Sequence, residues 1–333
     1  MILSIIIPVY NCEDYIEECI QSIVHQNIEE SYEIIIIDDG SVDNSLKICK
    51  KLSLIYENIK IIQQKNSGPG IARNVGLKLA QGEYIYFIDA DDYLNPSYFN
   101  ALLKIAKKDN LDFIGFNVAS TSARYNDNIM IHELVIKEEG NGFHLIANFN
   151  YNNGPWWYFF KKDILGDLCF EENRLCEDGI FTAQLIQLIK NGRIYKNYIY
   201  NYYQNPHSTV NTSNIERKLK MLDDMFYAAI RFNEIIDTLP KSSQYYENAF
   251  TRLKERQESY VFFAIVRFLK SKKNYSELLP YLQKLKKGKY SSYPIKYFKG
   301  YNSVKNEILI ICFNSTFLLK SMIFTNKILN FLK

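Results

Sequence analysis

The chain lacks the patterns that mark several common protein classes. Its six cysteines, Cys12, Cys19, Cys49, Cys169, Cys176 and Cys312, form no C-x-x-C pair, so neither a zinc site nor a disulfide framework follows from their spacing. Cys12 and Cys19 fall on one side of a predicted helix and read as core thiols, and a reducing, cytoplasmic setting is the simplest expectation. The apolar start, Met1-Ile2-Leu3-Ser4-Ile5-Ile6-Ile7, has no basic n-region and is stopped by Pro8, which predicts no signal peptide. No apolar run reaches the length of a bilayer span. Internal repeats and low-complexity linkers are also missing. What is plentiful is aromatic, with 26 Tyr and 21 Phe among 333 residues. That length buries a sizeable core and allows two or three domains.

Net charge is only +3, but it is unevenly spread. Residues 1–215 carry 18 Lys and Arg against 27 Asp and Glu, whereas residues 216–333 carry 22 against 10, a net of +12. A basic terminal third suits an anionic partner such as nucleic acid, a membrane surface or an acidic substrate, and it also suits a set of solvated helix faces.

The first hundred residues alternate two kinds of signal. Ile2–Val9, Tyr32–Ile37, Ile59–Ile62 and Tyr84–Ile88 are short apolar runs of the kind buried parallel strands show. Helical spacing fills the gaps at 14–25, 43–55, with Asp43 as expected N-cap, and 71–80. Alternating strands and helices predict an α/β parallel sheet with right-handed crossovers, whose ligands bind beyond the carboxyl ends of the strands. Three polar motifs lie at such ends: Pro8-Val9-Tyr10-Asn11, Asp38-Asp39-Gly40-Ser41 and Asp89-Ala90-Asp91-Asp92. In the last, Asp89 and Asp91 leave the strand on the same side. Two carboxylates that close repel unless a cation separates them, and hard oxygen ligands select magnesium or manganese together with substrate phosphates. The tetrapeptide by itself reads as well as a solvated acidic turn; its company at one sheet edge favours a metal–diphosphate site.

A further glycine-rich segment, Asn66-Ser67-Gly68-Pro69-Gly70-Ile71-Ala72-Arg73-Asn74, precedes a helix, where the backbone can approach an anion closely. Gly68 and Gly70 satisfy the first two positions of a dinucleotide fingerprint, but Arg73 stands at the third. Beyond residue 100 the pattern is mixed. Asp112–Val118 predicts a strand, Trp156–Phe160 is a dense aromatic run, and Glu177–Ile189 reads as a helix opened by an acidic pair.

Taken in order and spacing, the motifs over roughly residues 3–95 resemble the inverting glycosyltransferases of family 2, with a weaker match to about residue 210. The resemblance implies a GT-A fold, a nucleotide-sugar donor, most simply UDP-linked, and Mn2+ or Mg2+. It places Pro8, Tyr10 and Asp39 in a nucleoside pocket, with Asn11, Gly68 and Ala90 among the donor-binding residues. Arg73 would lie near the base or diphosphate and Asp89 near the ribose. Asp91 would be the principal metal ligand, with Asp92 and His207 as helpers. The acidic pair supplies the base: Asp178 is the expected catalytic residue, and Glu177 orients it or binds the acceptor, although an acidic pair also suits any helix N-terminus. Trp156 and Trp157 are candidates for stacking on an acceptor sugar or for the core beneath it. The implied organisation is a nucleotide-sugar-binding half at 1–100, an acceptor-binding half with the base at 101–212, and a basic, largely helical region at 213–333.

That last region interleaves lysines with tyrosines between 267 and 305 and then turns apolar at Ile308–Phe313 and Phe317–Leu332. It suits peripheral attachment to the inner face of a plasma membrane carrying a lipid-linked saccharide acceptor of bacterial surface polysaccharide synthesis. A packed terminal helix or a homodimer contact is the alternative, and the catalytic half points to sugars rather than nucleic acid. Two other readings compete for the whole chain. One is a phosphohydrolase using Asp89 and Asp91, although Tyr93 stands where such enzymes usually carry a hydroxyl residue beyond the acidic pair. The other is a non-catalytic sugar-nucleotide binder.

Overall fold

The computed structural model describes residues 1–125, 132–205, 214–271 and 273–331, with side chains to residue 326. The chain divides into two compact units, Met1–Leu145 with Tyr151–Asn211, and Ile146–Asn150 with Thr212–Lys333.

The first unit is built on a mixed sheet of nine strands among the described residues. Strands β1 (Leu3–Val9), β2 (Tyr32–Asp38), β3 (Ile59–Gln63) and β4 (Tyr84–Phe87) alternate with helices α1 (Ile16–Val24), α2 (Ser45–Ser53) and α3 (Pro69–Leu79). They form the parallel part, in the order β3-β2-β1-β4. Ile7 lies beside Ile36, and Ile6 beside Phe87. These isoleucines are fully buried because both faces of a parallel sheet are covered. The edge strand β3 is more exposed.

The remaining elements are β5 (Tyr93–Leu94), α4 (Phe99–Lys108), β6 (Phe113–Thr121), β7 (Ile136–Gly140), α5 (Gly142–Asn148), β8 (Tyr158–Lys161), α6 (Glu177–Leu188) and β9 (Gly192–Tyr203). Strand β8 runs antiparallel between β4 and β6. Strand β9 pairs parallel with β6 and antiparallel with β5 and β7. The aromatic wealth is spent here. Tyr84, Tyr86, Phe87, Phe113, Phe159 and Phe160 are fully buried and meet in tilted or edge-to-face pairs such as Tyr84–Phe159 at 5.6 Å.

Two local expectations need correction. Asp43 is not the N-cap of α2, which is Asn44. Its carboxylate accepts instead from the backbone N–H of Ser45 (2.9 Å) and of Glu13 (3.0 Å), and so ties the loop after β1 to the start of α2. Cys12 precedes α1 rather than sharing its face with Cys19; it is half-buried, and burial pushes its thiol up to about 12.

The second unit is helical: α7 (Ile215–Asp237), α8 (Tyr246–Lys270), α9 (Tyr275–Lys287), α10 (Val304–Asn314) and α11 (Thr316–Phe331). Asn274 and Glu277 close a capping box at the start of α9. Lys254 and Glu258 are buried together on α8, 3.7 Å apart.

Candidate active site

The carboxyl ends of β1, β2 and β4 carry the three polar motifs, as Val9 beside Asp38 illustrates. Asp39 is buried, and three donors hold its carboxylate. Gln64 Nε2 (2.7 Å) and the N–H of Ser67 (2.8 Å) donate to Oδ1, and the N–H of Gly68 (2.8 Å) donates to Oδ2. A carboxylate offers about four acceptor sites, so Asp39 organises the glycine-rich loop and keeps one for a ligand. Asn11, at positive φ, clasps the same edge: its N–H donates to Ser41 Oγ and its Oδ1 accepts from Val42 N–H. Tyr10 is 43% exposed at the end of β1, while Pro8 is half-buried. Ala90 is buried in the core cluster, so its side chain is not a ligand contact.

The acidic motif after β4 divides its labour. Asp92 is 2% exposed, accepting from Tyr200 Oη at one oxygen and from Tyr203 N–H at the other. Its expected part as a second metal ligand gives way to a structural one, because both its oxygens are turned inward to β9 and almost none of its surface is open to a cation. Among the described residues, Asn205 Nδ2 donates to Asp91 Oδ2 at 3.0 Å. Burial, and then the charge of Asp89, raise its pKa above the usual carboxylate range. Asp89 pairs with Arg73 at 2.7 Å.

Arg73 lies on the first turns of α3 and is buried. Its other terminal nitrogen reaches Glu177 Oε1 at 3.4 Å, its guanidinium lies over the Phe170 ring, and its Nε has no hydrogen-bond partner among the described residues. Asn74 holds the Phe170 backbone at both ends, donating to its carbonyl and accepting from its N–H, each at 2.8 Å. One guanidinium thus joins the motif after β4 to the acidic pair that opens α6. Gly70 permits this approach: a Cβ there would stand 2.8 Å from Glu177 Cγ. Glu177 is 4% exposed, and burial, followed by repulsion from Asp178, pushes its pKa up to about 7 despite Arg73. Asp178 is half-buried, with Oδ1 accepting from Gly179 N–H at 2.7 Å. Its pKa is also raised, by burial, which Arg73 and the Gly179 N–H partly offset.

Trp156 stacks on Tyr200, ring centroids 4.9 Å apart and 15° from parallel. Trp157 does not serve an acceptor. It is 1% exposed, packed on Phe113 and Tyr158, and seated over Gly115, where a Cβ would come within 2.6 Å of its ring. His207 lies outside the described residues. Tyr200 and Asn205 escaped the sequence reading as site residues, since more than a hundred positions separate them from the aspartates they hold.

The sequence model of the family described as "Glycosyl transferase family 2" matches residues 4–165. Residues 4–165 are a family 2 glycosyl transferase domain. The chain is 30% identical to the uncharacterized glycosyltransferase EpsJ of Bacillus subtilis, over 62% of each chain. It is 32% identical to the poly(ribitol-phosphate) beta-glucosyltransferase of Bacillus spizizenii, over 61% of this chain and 32% of that one. The chain therefore spans less than two thirds of one of these relatives and about a third of the other. In structure it resembles S. aureus TarS 1-349, with TM-score 0.64 at 20% identity, covering 98% of this chain and 89% of that one. The complex of TarS 1-349 with UDP-GlcNAc gives TM-score 0.56 at 21% identity, over 81% and 86%. The mixed sheet with flanking helices is thus a GT-A fold with a helical region after it.

Among the described residues, no group of three or more His, Cys, Asp or Glu is gathered to hold a metal in the family 2 domain or elsewhere. A single carboxylate at this edge still fits a hard divalent cation, which is commonly bound by one or two carboxylates completed by substrate phosphates and water. Asp91 meets the requirement through the oxygen that Asn205 does not hold; Asp92 does not.

Proposed function

We propose that the protein is an inverting glycosyltransferase that moves a sugar from a nucleoside diphosphate, UDP in the simplest case, to a hydroxyl of a saccharide acceptor. The observation that carries this reading is the Asp89–Arg73–Glu177 chain, which joins donor-side and base-side carboxylates in one site. Asp178 is the base. It is more exposed than Glu177 and keeps one oxygen for the acceptor proton, and geometry precedes pKa in such an assignment. Glu177 orients it, and Arg73 keeps the two carboxylates compatible. Asp39 and Tyr10 line the nucleoside side, Asp89 the ribose side, and Trp156 offers an aromatic edge to the acceptor. Asp91 would hold Mn2+ or Mg2+, which when bound neutralises charge developing on the leaving diphosphate. Support for UDP comes from TarS, which shares the fold and was crystallised with UDP-GlcNAc. The B. spizizenii relative acts on poly(ribitol phosphate) by its name, which supports a bacterial surface polysaccharide or teichoic acid acceptor, lipid-linked and met at the inner face of the membrane.

A panel of UDP- and GDP-sugars, titrated calorimetrically with manganese or with EDTA, tests the reading. At least one UDP-sugar is expected to bind, more tightly with manganese. Binding of no nucleotide sugar under either condition overturns it.

A further inference from the structure

Among the described residues, no single helix is long and apolar enough to cross a membrane. Helices α10 and α11 meet that length and composition only as a pair, and they are bent by 108° between Asn314 and Thr316. The bend changes what the pair can do. Val304, Ile308 and Ile311 recur on one face of α10 and are 71%, 55% and 66% exposed. On α11, Phe317 and Phe324 lie two turns apart and are 76% and 67% exposed, with Leu318 beside them. The inward face is well anchored. Phe313, Leu319 and Ile323 are buried, and Asn326 Nδ2 donates to the Leu269 carbonyl of α8. The outward face is thus a fixed apolar surface on packed helices. Each of the two packed helices exposes a row of large apolar side chains, and exposed apolar surface on a packed element marks an interaction site.

What surrounds it is basic and aromatic. Lys296 and Lys299 are exposed just before α10, and Tyr301 between them and the helix is 71% exposed. At 100° per residue, Lys305 sits at one edge of the α10 stripe and Glu307 at the other. Charge decides the occupant. A second copy would set the same lysines against one another in a two-fold contact, with residues 216–333 carrying +12 on each side. An anionic lipid surface neutralises that charge and takes up the apolar face.

We propose that α10 and α11 lie in the interface of an anionic phospholipid bilayer. The 304/308/311 stripe and Phe317 and Phe324 enter the acyl boundary, and Lys296, Lys299 and Lys305 stand at the headgroups. This deepens the reading above by naming the surface on which a lipid-linked acceptor is met, and it rests on that reading only for its purpose. The test is flotation of the full chain with phosphatidylcholine–phosphatidylglycerol vesicles, and with pure phosphatidylcholine vesicles, at low salt and without donor. The chain is expected to float with the anionic vesicles. Combined Ile308→Ser, Ile311→Ser and Phe317→Ser should weaken partitioning at least about tenfold. Lys296→Gln, Lys299→Gln and Lys305→Gln should each weaken it roughly fivefold and together abolish the preference for anionic lipid. These sites are exposed, so circular dichroism and donor binding should match wild type. Three results overturn the proposal: no flotation of the wild-type chain, flotation unchanged in the triple serine variant, or a light-scattering dimer that this variant converts to monomer. Because no donor is present, either outcome is independent of the transfer reading.

Discussion

Two buried charge clusters in this protein look alike by composition, and each leaves one atom without a hydrogen-bond partner among the described residues, Glu258 Oε1 on α8 and Arg73 Nε in the first unit; they differ in what meets the rest of their charge. On α8, Glu258 Oε2 accepts from the backbone N–H groups of Lys296, Tyr297 and Phe298. Lys254 donates to the carbonyls of Tyr290 (3.1 Å) and Ser291 (2.8 Å) and to Gln257. That pair is a clamp on the chain after α9. In the first unit, Arg73 faces Asp89 and Glu177 with its Nε unpaired, and Glu177 and Asp178 repel one another at the mouth of α6. A cluster whose charges are met by backbone groups stabilises; one left in mutual tension is poised to bind and to move protons.

The sharpest break in that contrast is Asp178→Asn. Transfer should fall about 10²–10⁴-fold with donor affinity and melting temperature little changed; a loss under tenfold in a steady-state assay removes Asp178 as the base. Next comes Glu258→Ala. It leaves Lys254 buried without its partner and strips three backbone N–H groups of their acceptor, so urea denaturation should show about 3–5 kcal/mol of destabilisation. Donor affinity at low temperature should stay within about twofold, since this clamp lies outside the site. A smaller effect, with opposing contributions to stability, is expected for Gly70→Ala. Alanine is favoured over glycine within a helix by about 1 kcal/mol, yet its Cβ would displace Glu177. The overlap with a buried side chain offsets that gain, so the variant should melt at or slightly below wild type while kcat falls roughly tenfold.

The smallest is a pH effect on stability. The folded state holds the Glu177 proton up to about pH 7, well above an unfolded glutamate. The native chain thus binds more protons in that window, and stability is lost as pH rises from the ordinary carboxylate value toward 7. Between pH 5 and pH 8 the wild type should lose on the order of 2 kcal/mol more than Glu177→Gln, read as a few degrees of melting temperature. Equal losses in the two proteins dismiss the buried, proton-holding Glu177.

The parallel part of the sheet was legible because isoleucine runs bounded by glycine, proline and aspartate leave few alternatives to buried strands. The same holds for α6, opened by Glu177 and Asp178, and for the placing of three polar motifs at one sheet edge. Roles within the motifs were less legible. Asp91 and Asp92 are neighbours of one chemical type, and only Tyr200 and Tyr203, arriving on β9, turn Asp92 into a structural group. Trp156 and Trp157 are equally alike in sequence. A 3-10 turn at Pro155–Trp157 sets one against Tyr200 and the other over Gly115.

Local pattern by itself determined the alternation of strand and helix, the acidic edge and the basic, apolar end of the chain, because periodicity and turn chemistry act over a few residues. Tertiary structure alone decided that Arg73 unites Asp89 with Glu177, that Asp92 is spent on tyrosines, and that α10 and α11 bend apart with their apolar faces outward. Each depends on partners many residues away, and burial and opposing charge, which set the chemistry of a carboxylate, exist only once those partners have met.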